Sequence, residues 1–471
     1  MFGDWWHTDI GLALTIAFQF ILISVSIILT IHILLHKSDP KASLMWIALI
    51  WFAPIFGAVF YLLFGINRIS RRAHKLMSEE KSQRGEYIEK GDFDFADDPW
   101  IEFRRLGNHV THSRRCMGND VEIVEGVDLI HEAMIEVIKS AEKTIALTTY
   151  IFRRDKLGKA LENALVEADQ RGVDVKVLLD GVGNGFIRSR TFRQLRAGGV
   201  EVRRFLHSKW PWRMPLMNLR THRKLLIVDG HMAFTGSMNI GCVRNLETQF
   251  KTKGPVISHF LEAFEYDWVL AGGAVLPETF RGPFNKTEGK VAARGILSGP
   301  IYRRERLRWI ILGAVGAATK NIRIVTPYFI PDQGLLSGLI LAALKGVRVD
   351  IILPKKSNYP FADWASHRQM KELLRARCHI YHRADVFDHS KLMTIDGHWA
   401  LVGSSNWDAR SLRLNFEFDM ECESPEFTAE LDGIIIERQS QSDILSWHEY
   451  ENRSLLVKLR DSMARLLLPY L

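Results

Sequence analysis

HRKLLIVDGHMAFTGSMNIG, residues 222–241, recurs as HSKLMTIDGHWALVGSSNWD, residues 389–408. Both copies read His-x-Lys-x4-Asp-Gly, then an apolar run, then Gly-Ser-x-Asn, and the second follows the first by 167 positions. In each, the apolar residues after the lysine stop at Asp-Gly, a dipeptide that lets a two-stranded ribbon reverse. The expected local structure is a strand, a tight turn and a returning strand, with 224–228 and 391–395 as the outgoing arms. Side chains alternate along a strand, so His222 and Lys224 share one face, as do His389 and Lys391. Backbone amides where the returning arm ends, at Gly236-Ser237 and Gly403-Ser404, could hold an anion.

Two imidazoles and two ammonium groups in matched surroundings suit transfer of a phosphoryl group through a covalent intermediate. One histidine attacks phosphorus and the other protonates the leaving oxygen, while Lys224 and Lys391 balance charge on the non-bridging oxygens. This set calls for no metal and no organic cofactor. A single His-x-Lys would be an ordinary exposed strand face. Independent surface positions are not expected to repeat His, Lys, Asp, Gly, Ser and Asn in register.

At these residues the chain resembles the phospholipase D superfamily, whose motif is His-x-Lys-x4-Asp followed by Gly-Ser or Gly-Gly and Asn. The resemblance implies that one of His222 and His389 is the nucleophile and the other the general acid. It also implies that Lys224, Lys391, Asn239 and Asn406 hold phosphate, that Asp229 and Asp396 belong to the catalytic set, and that Ser237 and Ser404 support it. In that superfamily the first-half histidine is usually the nucleophile, but nothing in the two copies distinguishes them. Ser237 stands where many relatives have a second glycine.

The duplication extends well beyond the motifs. Residues 127–140 and 157–171 have helical apolar spacing, and 143–151 and 173–179 read as buried strands, an order that points to an α/β sandwich. Tyr150-Ile151-Phe152 is matched 178 positions on by Tyr328-Phe329-Ile330, and Arg171-Gly172-Val173 is matched 174 on by Lys345-Gly346-Val347. Two tandem phospholipase D-like α/β domains are therefore expected, 100–295 and 296–471. Packed about a pseudo-twofold axis, they would bring both His-Lys pairs to one shared cleft.

Asn245-Leu246-Glu247 is matched 170 positions on by Asn415-Phe416-Glu417. A carboxylate bonded to the far nitrogen of a catalytic histidine fixes its tautomer and favours its charged form, and Glu247 and Glu417 are assigned that role. Asp229 and Asp396 have a second rationale, because Asp before Gly is what the turn itself requires. His231 and His398 also repeat, but they follow the turn and read as structural.

Composition and the N-terminus bear on the partner. The 471 residues carry a net charge of +8 and a pI near 9.2, which favours anionic partners. Residues 10–35 are uncharged but for His32 and long enough to cross a bilayer. A second apolar stretch, 43–64, contains Pro54 and either spans or re-enters. Residues 1–66 thus read as a membrane anchor with two transmembrane helices, and 67–99 as a polar linker. Arg68, Arg71, Arg72 and Lys75 outweigh Lys37 and Lys41, which places the catalytic part in the cytoplasm beneath a multi-pass anchor in the plasma (inner) membrane. Cys116, Cys242, Cys378 and Cys422 are scattered, as in a reducing compartment.

Between Val202 and Val228 there is no acidic residue, while basic residues surround Phe205, Trp210 and Trp212. In a membrane-tethered chain this favours lipid headgroups over single-stranded nucleic acid, and no nucleic-acid partner is expected. Residues 453–468 have apolar side chains at helical spacing opposite Lys458, Arg460 and Arg465, suiting a helix docked on the domain or lying on a membrane. The two apolar segments, the paired motifs and the stretches NLRTHRK, TPYFIPD, DHSK and NFE resemble the bacterial cardiolipin synthases of the phospholipase D type. Thr248-Gln249-Phe250 departs from their usual Trp-Arg-Asp. The resemblance implies phosphatidylglycerol as substrate, with one phosphatidyl group passed through phosphohistidine to a second molecule; a hydrolytic phospholipase D, a transferase using another alcohol or a membrane-tethered nuclease would carry the same residues. Oligomeric state is not legible.

Overall fold

Residues 4–37, 40–66, 100–185, 188–207, 219–241, 244–300 and 305–466 are described by the computed structural model. The linker expected over 67–99, the segment 208–218 with Trp210 and Trp212, and the C-terminal 467–471 lie outside the described residues. The chain divides into two compact units, Met1–Glu86 and Tyr87–Leu471.

In the first unit, helix α1 (Asp4–His36) contains the one described helix long and apolar enough to cross a membrane, Gly11–His36. The second apolar stretch does not form one helix. It gives α2 (Pro40–Phe52), α3 (Pro54–Phe60) and a π-helical turn, Tyr61–Gly65. Proline lacks an N–H and disfavours helical geometry in the residue before it; accordingly Ala53 has φ −139° and ψ 70°. The chain then turns back on α2 so closely that a Cβ on Gly57 would lie 2.5 Å from the Leu49 carbonyl oxygen. Leu29 and Ile33 of α1 pack with Ile50, Ala58 and Tyr61, and His32 Nδ1 lies 2.8 Å from the Tyr61 hydroxyl.

The second unit is a duplicated α/β sandwich. Its first half supplies β1 (Cys116–Glu125), β2 (Thr144–Thr149), β3 (Asp174–Asp180) and β4 (Glu201–Phe205). It continues with β5 (Leu225–Val228), β6 (Met232–Gly236), β7 (Asn245–Leu246) and β8 (Thr248–Lys253). The second half supplies β9 (Val291–Ser298), β10 (Asn321–Val325), β11 (Phe329–Ile330), β12 (Arg348–Pro354) and β13 (His379–Arg383). After these come β14 (Phe387–Asp388), β15 (Leu392–Ile395), β16 (Trp399–Gly403) and β17 (Trp407–Asp408). The series ends with β18 (Glu417–Glu423) and β19 (Ser442–Ile444).

Among the described residues one sheet runs β19-β13-β12-β10-β15-β16-β18-β9-β1-β8-β6-β5-β2-β3-β4. Read from the centre outward, β9, β18, β16, β15, β10, β12, β13 mirror β1, β8, β6, β5, β2, β3, β4. The halves join where β1 pairs antiparallel with β9, Cys116 opposite Ala293 and Asn119 opposite Val291, with an irregularity between. Asn119 Nδ2 donates there to the carbonyls of Cys116 at 2.6 Å and Val291 at 3.0 Å. Both halves bury their apolar strand residues beneath helices, since parallel strands with crossover helices are covered on both faces.

The helices expected over 127–140, 157–171 and 453–468 are present, as Val127–Lys139, Lys156–Gln170 and Leu455–Leu466. Helix α4 (Ile101–Thr111) precedes β1, and α5 (Val127–Lys139), α6 (Lys156–Gln170), α7 (Arg190–Ala197) and α8 (Ile257–Leu270) cover the first half. Helices α9 (Arg306–Ala317), α10 (Gln333–Leu344), α11 (Pro360–Arg375) and α12 (Ala409–Arg413) begin the second set. Helices α13 (Pro425–Ser440), α14 (Trp447–Glu451) and α15 (Leu455–Leu466) complete it.

Two details differ from the division into 100–295 and 296–471. The seam at 295/296 falls inside β9, so the second half starts at its own first strand near Val291. Helix α4 packs on the half that follows, not on its own: Trp100 and Phe103 join the core built from α9, α10 and β10. Arg104 pairs with Glu423 of β18, and Arg438 of α13 reaches back to Glu125 of β1. Elements of each half thus pack on the other.

Candidate active site

Each motif folds as a hairpin. Asp229 and Gly230 have φ of 51° and 63°, and Asp396 and Gly397 of 56° and 65°, the left-handed pair that a tight reversal of this kind requires. The His231 N–H closes the first turn on the Val228 carbonyl at 3.1 Å, and the His398 N–H closes the second on Ile395 at 3.0 Å.

The two aspartates lie at these turns, a full strand away from the lysines, and their carboxylates hold the preceding loop. Asp229 accepts from the backbone N–H of Glu142, Lys143 and Thr144 at 2.7–2.9 Å. Asp396 accepts at 2.8 Å from the equivalent amides of Thr319, Lys320 and Asn321. Burial raises the Asp396 pKa, but these amides outweigh it and hold the carboxyl below its usual range. The structure therefore sets both aspartates apart from the His-Lys cluster. Asp229→Asn and Asp396→Asn should each cost about 1–3 kcal/mol of stability through lost charge-assisted bonds. Thermal unfolding should show a lower midpoint for each.

At the other end of the hairpins the two motifs meet. The His222 N–H donates to the Phe416 carbonyl at 2.8 Å, and the Phe416 N–H donates to Arg220. On the other side β14 pairs with β7, and the His389 N–H donates to the Leu246 carbonyl at 2.9 Å. Each histidine is thereby laid beside the glutamate of the opposite half. His222 Nδ1 lies 2.8 Å from Glu417 Oε2, and His389 Nδ1 lies 3.0 and 3.1 Å from the two oxygens of Glu247. The expected His–Glu pairing is present, and it is crossed.

Lys224 and Lys391 are buried, and each donates its ammonium to the carbonyl of the histidine two residues before it, at 2.8 Å for Lys224. Ser237 and Ser404 turn their hydroxyls to the glutamate of their own half, Ser404 Oγ reaching Glu417 at 2.7 Å and Ser237 Oγ reaching Glu247. They position the carboxylates. The carboxamide oxygens of Asn239 and Asn406 are buried without a hydrogen-bond partner among the described residues, as befits groups that await a ligand or ordered water.

The electrostatics are unequal between the halves. Burial raises the Glu247 pKa, but His389, Lys391 and Ser237 more than offset it and leave it at about 2. Burial pushes Glu417 up to about 7 against the pull of Lys224 and its hydroxyl partners. The same strand carries a further carboxylate two residues on, Asp419, likewise pushed up by burial to about 7, with Glu417 adding to the shift; the first half has Gln249 in that place. Burial, with Lys224, Lys391 and His389 nearby, holds His222 well below the ordinary histidine range. Burial also lowers His389, but Glu247 opposes it. Lys224 falls to about 8 and Lys391 to about 7, chiefly by burial.

Residues not singled out from the motifs complete the site. The Tyr150 ring meets His222 edge-on with centroids 5.1 Å apart; its repeat partner Tyr328 packs on Phe387, which stacks on His389. Both tyrosines sit in the matched segments at 150 and 328, so the repeat itself could have flagged them. Arg223, between His222 and Lys224, points the other way into a buried pair with Asp267 at 2.7 Å.

A duplicated sandwich with two facing His-Lys pairs defines an enzyme of the phospholipase D type. The chain belongs to the family described as cardiolipin synthase, PLD-like domain, whose model matches residues 134–268 and 311–438. A phospholipase D-nuclease N-terminal family matches 24–65. The chain is 30% identical to the major cardiolipin synthase of Bacillus subtilis over 93% of this chain and 95% of that one. It is 29% identical to a cardiolipin synthase of Clostridium perfringens over 92% and 95%. The fold is similar to that of a phosphatidylserine synthase of Haemophilus influenzae, with TM-score 0.60 and 14% identity over 78% of this chain and 98% of that one.

Proposed function

We propose that this chain makes cardiolipin and glycerol from two molecules of phosphatidylglycerol. The observation that carries the reading is the crossed pair of His–Glu contacts around two buried lysines, which joins both halves into one site for a phosphodiester. The names of the relatives support the choice of lipid.

In this reaction His222 is the nucleophile. It is held neutral, and donating Nδ1–H to Glu417 leaves Nε2 bare to attack phosphorus. As the new P–N bond forms, the P–O bond to glycerol breaks and His389, whose charged form Glu247 favours, passes its proton to the departing oxygen. A hydroxyl of the second phosphatidylglycerol then returns that proton to His389, attacks phosphorus and releases His222. Lys224, Lys391 and the side-chain amide N–H groups of Asn239 and Asn406 donate to the non-bridging oxygens, and Asp229 and Asp396 keep the hairpins in place. Both apolar N-terminal segments are membrane-embedded, α1 spanning and 43–64 held as a bent hairpin. Arg68, Arg71, Arg72 and Lys75 keep the catalytic unit on the cytoplasmic side. The chain after the linker divides into two halves near the first strand of the second.

The test is incubation of the detergent-solubilised protein with labelled phosphatidylglycerol alone, in the presence of a metal chelator. Cardiolipin and glycerol in equal amounts are expected; phosphatidic acid as the only product would make the enzyme a hydrolase. The lysines also set a pH limb. As pH rises through about 7 to 8 the empty site loses the ammonium charges of Lys391 and Lys224. Consequently kcat/KM should fall over that window, whereas kcat should hold to higher pH because bound phosphate restores both charges. Lys391→Arg should move the alkaline limb upward.

A further inference from the structure

The C-terminal helix α15 carries its large exposed apolar side chains on the side away from the domain. Successive helical residues turn by about 100°, so Leu455, Leu456, Leu459 and Met463 fall within one stripe about that wide. They are 71%, 78%, 51% and 68% exposed. The opposite side carries Asp461 and Ala464, both buried. Ala464 packs with Ile330, Ala362 and Ala365, and Asp461 is held by Arg453 at 2.8 Å and Arg460 at 2.7 Å. Packing within the described fold therefore does not account for the leucines and methionine.

Charge borders the stripe on both sides. The same rotation puts Lys458 and Arg465 along one edge and Arg460 along the other, where its guanidinium turns to Asp461 and the Trp364 ring, and Asp461, the helix's one acidic residue, lies underneath. Lysine and arginine can lay their stems along an apolar surface and lift the charged head to phosphate level. A second copy docked stripe to stripe would bring like charges together along both edges, which disfavours a dimer through this face.

We propose that α15 lies on the surface of an anionic bilayer, with the stripe below the headgroups and Lys458 and Arg465 at the lipid phosphates. The contact adjoins the second histidine's surroundings: the Ala464 cluster includes the ring of Tyr328, which packs on Phe387 and so on to His389. The helix thus ties the face that meets lipid to the half that delivers the proton.

The test uses the full chain in vesicles, with a nitrobenzoxadiazole label on Leu459→Cys and, as a control, on the exposed Glu288→Cys. The unsubstituted chain, labelled likewise, gives the background of its own four cysteines. With phosphatidylglycerol bearing brominated acyl chains, the label at 459 should drop to about half its intensity while that at 288 is unchanged, as insertion to the acyl boundary requires. In neutral phosphatidylcholine with the same brominated chains the quenching should be much weaker. Equal quenching in both lipids would remove the anionic selectivity. A label insensitive to bromine would overturn membrane contact: if its emission reddens on dilution of the protein into excess lipid, a second copy covers the stripe, and if it does not, another part of this chain does. The readout is contact, not turnover, so it stands or falls separately from the proposed reaction.

Discussion

His222→Ala should abolish turnover of phosphatidylglycerol, whereas His389→Ala should retain activity about 10²–10⁴-fold below that of the natural enzyme. In the proposed reaction the difference lies in what each imidazole supplies. Without His222 no P–N bond can form, and no change of substrate restores one. Without His389 the leaving glycerol departs as an alkoxide, a cost that vanishes when the leaving group is a weak base. A phosphatidyl ester of p-nitrophenol should therefore release nitrophenol in a burst with His389→Ala, and the labelled phosphatidyl group should stay on the protein because the acceptor hydroxyl has lost its base. The same ester should give no burst with His222→Ala. The reverse pattern would exchange the two roles, and bursts in both would sink the division of labour.

Glu247→Gln should lower kcat by about 10²–10⁴-fold, the scale seen when an amide replaces the carboxylate that orients a catalytic histidine. Because Glu247 lies against His389 and not against His222, this defect should shrink with the p-nitrophenol ester, as that of His389→Ala does. Glu417→Gln should cost less, because Glu417, pushed up to about 7 by burial, has less charge to lose than Glu247. That defect should be the same with either leaving group. If the carboxylates served the histidines of their own half, the leaving-group dependence would pass from Glu247 to Glu417.

Asp229 and Asp396 mark how far a motif can be read. The spacing identified them correctly as turn residues, because Asp-Gly is a local conformational demand. Their three amide contacts come from loops about 85 and 75 residues away in sequence, a distance at which periodicity carries no information. Pro54 was legible as a break in the second apolar stretch, but that the chain would fold back with Gly57 against Leu49 depends on packing of one helix on another. Helix α4 has an ordinary amphipathic pattern, and nothing in its residues says that its apolar face belongs to the second half.

By itself the sequence determined the duplication, the two hairpins, the common face of each His-Lys pair and the apolar N-terminal segment. All of these follow from alternation along a strand, periodicity along a helix and the backbone demands of Asp-Gly, which act over a few residues. Only the tertiary structure decided that each histidine takes its carboxylate from the other half. The Phe416 strand pairs alongside His222 and the Leu246 strand alongside His389, and such long-range pairings are chosen by how two sheets join. It also made the matched halves unequal. Glu417 and Asp419 lie together in one buried strand, where Glu417 adds to the rise of the Asp419 pKa, while Glu247 has the neutral Gln249 beside it.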